Sequence, residues 1–196
     1  MKIMQKVTLI YTLIIIWFMT ANEAHSQTEH QAYNLLHKFP GFEVRYYPEA
    51  LLARVYTNAK SYREITSPAF NALAGYIFGG NDQNMKIAMT APVHIDLHDN
   101  GSSMSFVIPA QYEMDDLPAP NNRAVKIEKA EPAYIAAITF GGYADDEKIL
   151  EYSEELRKLL QQNNIQYKGN FRFLGYNSPY KFWNRRNEVV VNIIWE

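Results

Sequence analysis

YIAAITF at Tyr134–Phe140, followed by DDEKILEYSEELRKLLQQN at Asp145–Asn163, is a strand running into an amphipathic helix. Ile149, Leu156, Leu159 and Leu160 fall on one side of that helix. The same succession occurs about 84 positions earlier. There Leu51–Thr57 (LLARVYT) precedes a helical stretch from Ser61 to Phe78. Ala69, Phe70, Leu73, Ala74 and Ile77 share one helical stripe. Gly79–Gly80 supplies a stop, and Pro68 suits a first helical turn, so the firm part of this helix is expected to begin there.

Working outward, each pair acquires further strands. Phe42–Tyr47 precedes the first pair across a turn at Pro48–Glu49, and Val125–Glu128 precedes the second. Val93–Leu97 and Met104–Ile108, separated by Asp99–Asn100–Gly101, follow the first helix as a hairpin. Phe171–Tyr176 and Glu188–Trp195 follow the second. Residues 109–122 are rich in Pro, Asp and Asn and read as a loop. Residues 27–40 read as a lead-in with a helical start. The expected fold is α+β: two similar strand–strand–helix–strand–strand halves, about 40–110 and 123–195. Together they are expected to close into a distorted antiparallel β-barrel carrying two helices, because closure removes exposed edges.

At the N-terminus, Lys2 and Lys6 precede the run Val7–Met19, and Ala24–His25–Ser26 offers small residues around a cleavage point. This is the layout of a secretory signal peptide. As a helix the run would rise ~20 Å, short of the ~30 Å bilayer core, which disfavours an uncleaved anchor. Residues 1–26 are therefore expected to be address. Residues 27–196 are expected to form one domain in a periplasm or outside the cell, with no stable membrane anchor.

The whole chain has 196 residues, 19 basic against 21 acidic, and no cysteine. Without cysteine there is no disulfide scaffold, lipid-linked cysteine, thiolate metal ligand or thiol nucleophile. The near-balanced charge argues against a nucleic-acid partner.

Five stretches then identify a resemblance. Lys86–Val93 (KIAMTAPV), preceded by Tyr76–Asn81 (YIFGGN), closely resembles the SOUL / haem-binding protein family. Phe42–Tyr47 (FEVRYY), Met104–Pro109 (MSFVIP), Phe140–Ala144 (FGGYA) and Arg185–Val189 (RRNEV) follow the family's order. The resemblance spans about residues 40–194. It implies a duplicated barrel with two helices and the binding of haem or a related tetrapyrrole in a hydrophobic groove beside the first helix. It also implies likeness to bacterial effector-binding domains.

A haem site needs an apolar wall, a cation for the propionates and, optionally, an axial donor. Ala69, Phe70, Leu73 and Ile77, with Met85 and Met89, are the candidate wall; helix-on-sheet core is the competing reading. Tyr76 stands where family members carry a basic residue, and is a candidate axial ligand or wall aromatic. Lys181 matches a family lysine suggested to pair with a propionate, and Arg185 accompanies it. Arg186 beside Glu188 reads more simply as an internal ion pair. His94 and His98 lie ~13 Å apart on an extended strand, too far to chelate one metal together. His94 remains a candidate axial ligand, against a solvated strand face.

The expected function is non-catalytic binding of haem, as carrier or buffer. The alternatives are binding of another hydrophobic or amphipathic small molecule, a protein-interaction role, and a small hydrolase using Glu43, Glu64 or Glu188. No nucleophile–base–acid arrangement is legible. Oligomeric state is left open, a monomer included.

Overall fold

The computed structural model describes residues 28–97 and 101–195. The expected signal segment, His98 and most of the turn at 99–101 lie outside the described residues. The elements in chain order are β1 (Glu29–His30), β2 (Asn34–Phe39), β3 (Phe42–Tyr47), β4 (Ala50–Thr57), α1 (Tyr62–Ile77), β5 (Thr90–Ala91), β6 (Val93–Asp96) and β7 (Ser102–Val107). After a short 3-10 turn at Met114–Asp116 come β8 (Val125–Ala130), β9 (Ala133–Phe140), α2 (Asp146–Gln162), β10 (Tyr167–Gly175) and β11 (Asn187–Ile193). Among the described residues no helix is long and apolar enough to cross a membrane.

Nine strands form one sheet in the order β2-β3-β9-β11-β10-β6-β7-β4-β8, with every pairing antiparallel. The ladder ends at β2 and β8, which do not pair with each other, so the sheet is open. The expected β-barrel is therefore wrong, although the α+β class with two helices stands. The edges are managed by other means. β2 is exposed along nearly its whole length and has a register shift between Leu35 and His37. β8 carries the exposed Lys126 and Lys129. Bulges and edge charges blunt an open edge without closing it.

The strand order contains an exchange. β4, β6 and β7 are neighbours, as are β9, β10 and β11, but β3 pairs with β9 and β8 with β4. Each half lends its first strand to the other. The halves meet where β6 pairs with β10, Val93 opposite Gly175 and Asp96 opposite Arg172.

Both helices lie on one face of this sheet. Strand periodicity of two sends Val44, Ala53, Val55, Phe106, Ile138, Val189 and Val191 to that face, where they bury against Leu73 of α1 and Leu156 and Leu160 of α2. α2 is capped by Asp145, whose side chain accepts from Lys148 N–H. α1 starts at Tyr62, because the Ser61 side chain accepts from Glu64 N–H. Pro68 consequently sits inside the helix, not in its first turn. It lies on the exposed side, where a carbonyl freed by its missing N–H reaches water. α1 ends in a Schellman motif: Gly80 N–H donates to the Gly75 carbonyl and Gly79 N–H to that of Tyr76. Gly79 takes φ +108°, the left-handed conformation that favours glycine.

The lead-in is extended, not helical. β2 pairs with β3, and β1 runs parallel to β5. Between them residues 29–33 cross the face opposite the helices. There Tyr33 packs against Tyr47 and over the Arg45 guanidinium, and His30 meets the ring of Tyr176.

Candidate functional site

The α1 stripe is mostly core. Ala69, Leu73 and Ile77 are buried against the sheet, and Phe70 is half-buried, edge-on to Phe106. Met85 and Met89 pack partly buried against the same core. Tyr76 is 1% exposed, and its hydroxyl donates to the Pro118 carbonyl at 3.1 Å. Burial first, and then the charge of Asp82, raises its pKa, which disfavours a tyrosinate.

Lys181 and Arg185 lie on the loop between β10 and β11. Arg185 holds that loop: Nη1 donates to the carbonyls of Ser178 at 2.8 Å and Lys181 at 2.7 Å, and the guanidinium stacks on Tyr143. Tyr143 in turn donates to the Pro179 carbonyl at 3.2 Å. The loop is thereby braced in a form that leaves Tyr180 82%, Phe182 71% and Trp183 72% exposed, flanking the exposed Lys181. Its neighbour on α1 is Tyr62, on which the Arg185 charge acts. Tyr62 N–H also donates to Asp146 at 2.6 Å, so the loop stands where both helices begin.

The sequence-predicted site residues are thus divided. Lys181 and Arg185 stand near the start of α1, whereas Tyr76, Ile77 and Met85 stand at its end, about 21 Å further along a helix rising 1.5 Å per residue.

His94 is on the other face of the sheet, on β6, with its Nε2 2.9 Å from Gln31 Oε1. Burial, reinforced by the charges of Arg172 and Arg54, pushes its pKa down to about 3, so it is neutral near pH 7. Its ring is half-buried and hydrogen-bonded to Gln31, so it is not a fully solvated strand face. Among the described residues no cluster of three or more His, Asp or Glu could hold a metal ion.

Glu188 lies on that same face, at the centre of a buried network. Its carboxylate accepts from Arg45 at 2.8 and 3.0 Å, Arg186 at 2.7 Å and Tyr176 at 2.8 Å. Burial alone would raise its pKa, but the two guanidinium groups outweigh burial and hold it below the usual carboxylate range. A paired carboxylate of this kind is a poor general base. The Arg186–Glu188 pair was legible from spacing, since residues two apart share a strand face. Arg45 was not, because it is 143 residues away in the chain. The exposed aromatics of the loop were also missed, although Tyr180, Phe182 and Trp183 around Lys181 are themselves the signal.

The family model described as "SOUL heme-binding protein" matches residues 28–192. The chain belongs to the SOUL heme-binding protein family. Among curated relatives of this SOUL chain, heme-binding protein 1 of Mus musculus is 33% identical over 145 residues, covering 70% of this chain and 76% of that protein. Heme-binding protein 2 of Homo sapiens is 29% identical over 159 residues, covering 76% and 77%. The EcmrR C-terminal domain superposes with a TM-score of 0.57 at 8% identity, covering 79% of this chain and 98% of that domain. That last likeness is one of fold alone.

Proposed function

We propose that this protein binds haem or a related tetrapyrrole without catalysis, as a carrier or buffer, in a groove beside α1. The observation that carries the reading is the braced loop of a SOUL-family chain, with Tyr180, Phe182 and Trp183 exposed around Lys181 next to the first turn of α1. Exposed aromatic rings offer flat apolar contact, and a lysine reaches a propionate while its stem lies along apolar surface. The half-buried Phe70 extends the wall along α1. Arg185 positions the loop, since its Nη1 already donates to two backbone carbonyls of that loop. Tyr76 and His94 are each hydrogen-bonded, the one in the core and the other on the far side of the sheet, so binding rests on apolar contact and charge more than on an axial ligand.

A hemin titration followed at the Soret band tests this. A saturable shift at low micromolar hemin is expected. Lys181→Ala is expected to weaken binding several-fold and Tyr76→Phe to leave it unchanged. Absence of a saturable shift would sink the haem reading. A loss with Tyr76→Phe but not with Lys181→Ala would move the site to the other end of α1.

A further inference from the structure

The face of the sheet opposite the helices holds a cavity of about 440 Å³, within the range of small-molecule sites. Its floor is apolar: Leu52, Ile135, Leu174 and Val190, from four different strands, point into it. One wall is cationic. Arg54 on β4 and Arg172 on β10 both line the cavity, with His94 between their strands on β6. The exposed Lys129, Glu131 and Lys168 mark its mouth, and Gln31 of the N-terminal crossing forms part of its side. We propose that this cavity binds a small amphipathic anion, a carboxylate with an aliphatic or aromatic body, at a site separate from the haem surface.

The polar contacts of the wall set the charge. Arg172 donates to Asn192 Oδ1 at 2.7 Å and faces Asp96 across the β6–β10 pairing. Arg54 donates to Ser105 Oγ at 2.9 Å and to the Tyr56 hydroxyl at 3.3 Å, and pairs with Glu128 at 3.4 Å. Lys129 pairs with Glu49 at 2.7 Å. Glu128, Glu49 and Asp96 do not line the cavity; Glu131 is the one acid among the lining residues, against Arg54, Lys129, Lys168 and Arg172. The surplus is felt inside. Burial together with the Arg54 charge lowers the Arg172 pKa even with Asp96 opposite, and both arginines depress His94. An entering carboxylate meets two planar guanidinium groups suited to bidentate pairing and a neutral imidazole, while its body covers the floor.

The inference does not depend on the haem reading, whose surface is on the other face of the sheet. Octanoate and octanol, equal in chain length and different in charge, are the probes. Titration of the protein is followed by NMR at the His94 ring and the backbone amides of Arg54 and Leu174. Octanoate is expected to give saturable shifts at these positions, and octanol a response weaker by about tenfold or more. Arg172→Gln and Arg54→Gln are each expected to weaken octanoate about tenfold; Arg54, half-buried, serves if the Arg172 variant fails to fold. Hemin bound beforehand is expected to leave octanoate affinity unchanged. The proposal is overturned by absence of saturable shifts at millimolar octanoate, by equal response to octanol, or by shifts confined to residues 180–185. Competitive displacement by hemin also overturns it, because the cavity is then not a separate site.

Discussion

Glu188 is a focus of the sheet's stability, because the buried Arg45 and the partly exposed Arg186 both pair with its charge. Replacing it with glutamine removes the acid that both arginines share; the buried Arg45 keeps Glu43 at 2.7 Å and Arg186 is partly exposed, so the cost is about 3 kcal/mol, the low end for breaking a buried pair. Urea denaturation of Glu188→Gln is expected to show a loss of that order with an unchanged m-value. His94 gives a second measurable consequence. Its pKa is near 6.5 in the unfolded chain and about 3 in the fold, so between those values the unfolded state binds more protons. The stability associated with neutral His94 is complete above about pH 6.5 and is lost progressively as pH falls toward 3, at roughly 1 kcal/mol per pH unit. His94→Gln is expected to flatten that slope in denaturation midpoints measured from pH 7 to pH 4. Both residues were visible in the sequence, but their surroundings were not. Gln31 and Arg45 reach them only through the crossing segment and the order of strands, neither of which local spacing encodes.

At the level of single elements, the helices show where local signals suffice. Ser61, Asp145 and Gly79–Gly80 mark their ends in the sequence, and the side-chain caps and Schellman bonds form at those places. Pro68 shows where they do not. Its preference for a first turn loses to the Ser61 cap and to the apolar stripe Ile65–Ala69–Leu73, which together extend the helix across it. Pro68→Ala restores a donor to the helix interior and is expected to raise stability by about 1–3 kcal/mol, read as an increase in Tm. Gly80→Ala has the opposite expectation. A Cβ there would meet the Gly75 carbonyl oxygen at 2.6 Å, and that oxygen is backbone with little room to yield. A loss of about 1–3 kcal/mol in thermal unfolding is expected. β2 is not legible as a strand within the lead-in because Asn34–Phe39 has no strict alternation; it is an edge strand exposed on both faces, so no periodic burial constrains its sequence.

Across the whole molecule, the two-helix α+β class followed from the repeat of strand and helix, while the open order of the sheet did not. Periodicity reports which residues face a core and is silent on which strands pair, so an exchanged open sheet and a closed barrel have the same pattern. The exchange makes each half incomplete. Residues 28–122 and 123–196 expressed separately are expected to lack dispersed NMR spectra, and co-expression to restore them. Expressed with its N-terminus intact in a secreting host, the chain is expected to mature to a protein beginning at Gln27, which N-terminal sequencing checks. The strand exchange also bears on timing. β3 is made early but pairs through Glu43–Tyr47 with Ala133–Ala137, about 90 residues later. At a synthesis rate of ~5–20 residues per second the first half waits about 5–20 s for its partner strand. During that interval the nascent chain cannot complete its sheet and remains threadable, the condition in which a polypeptide passes through a narrow translocation channel.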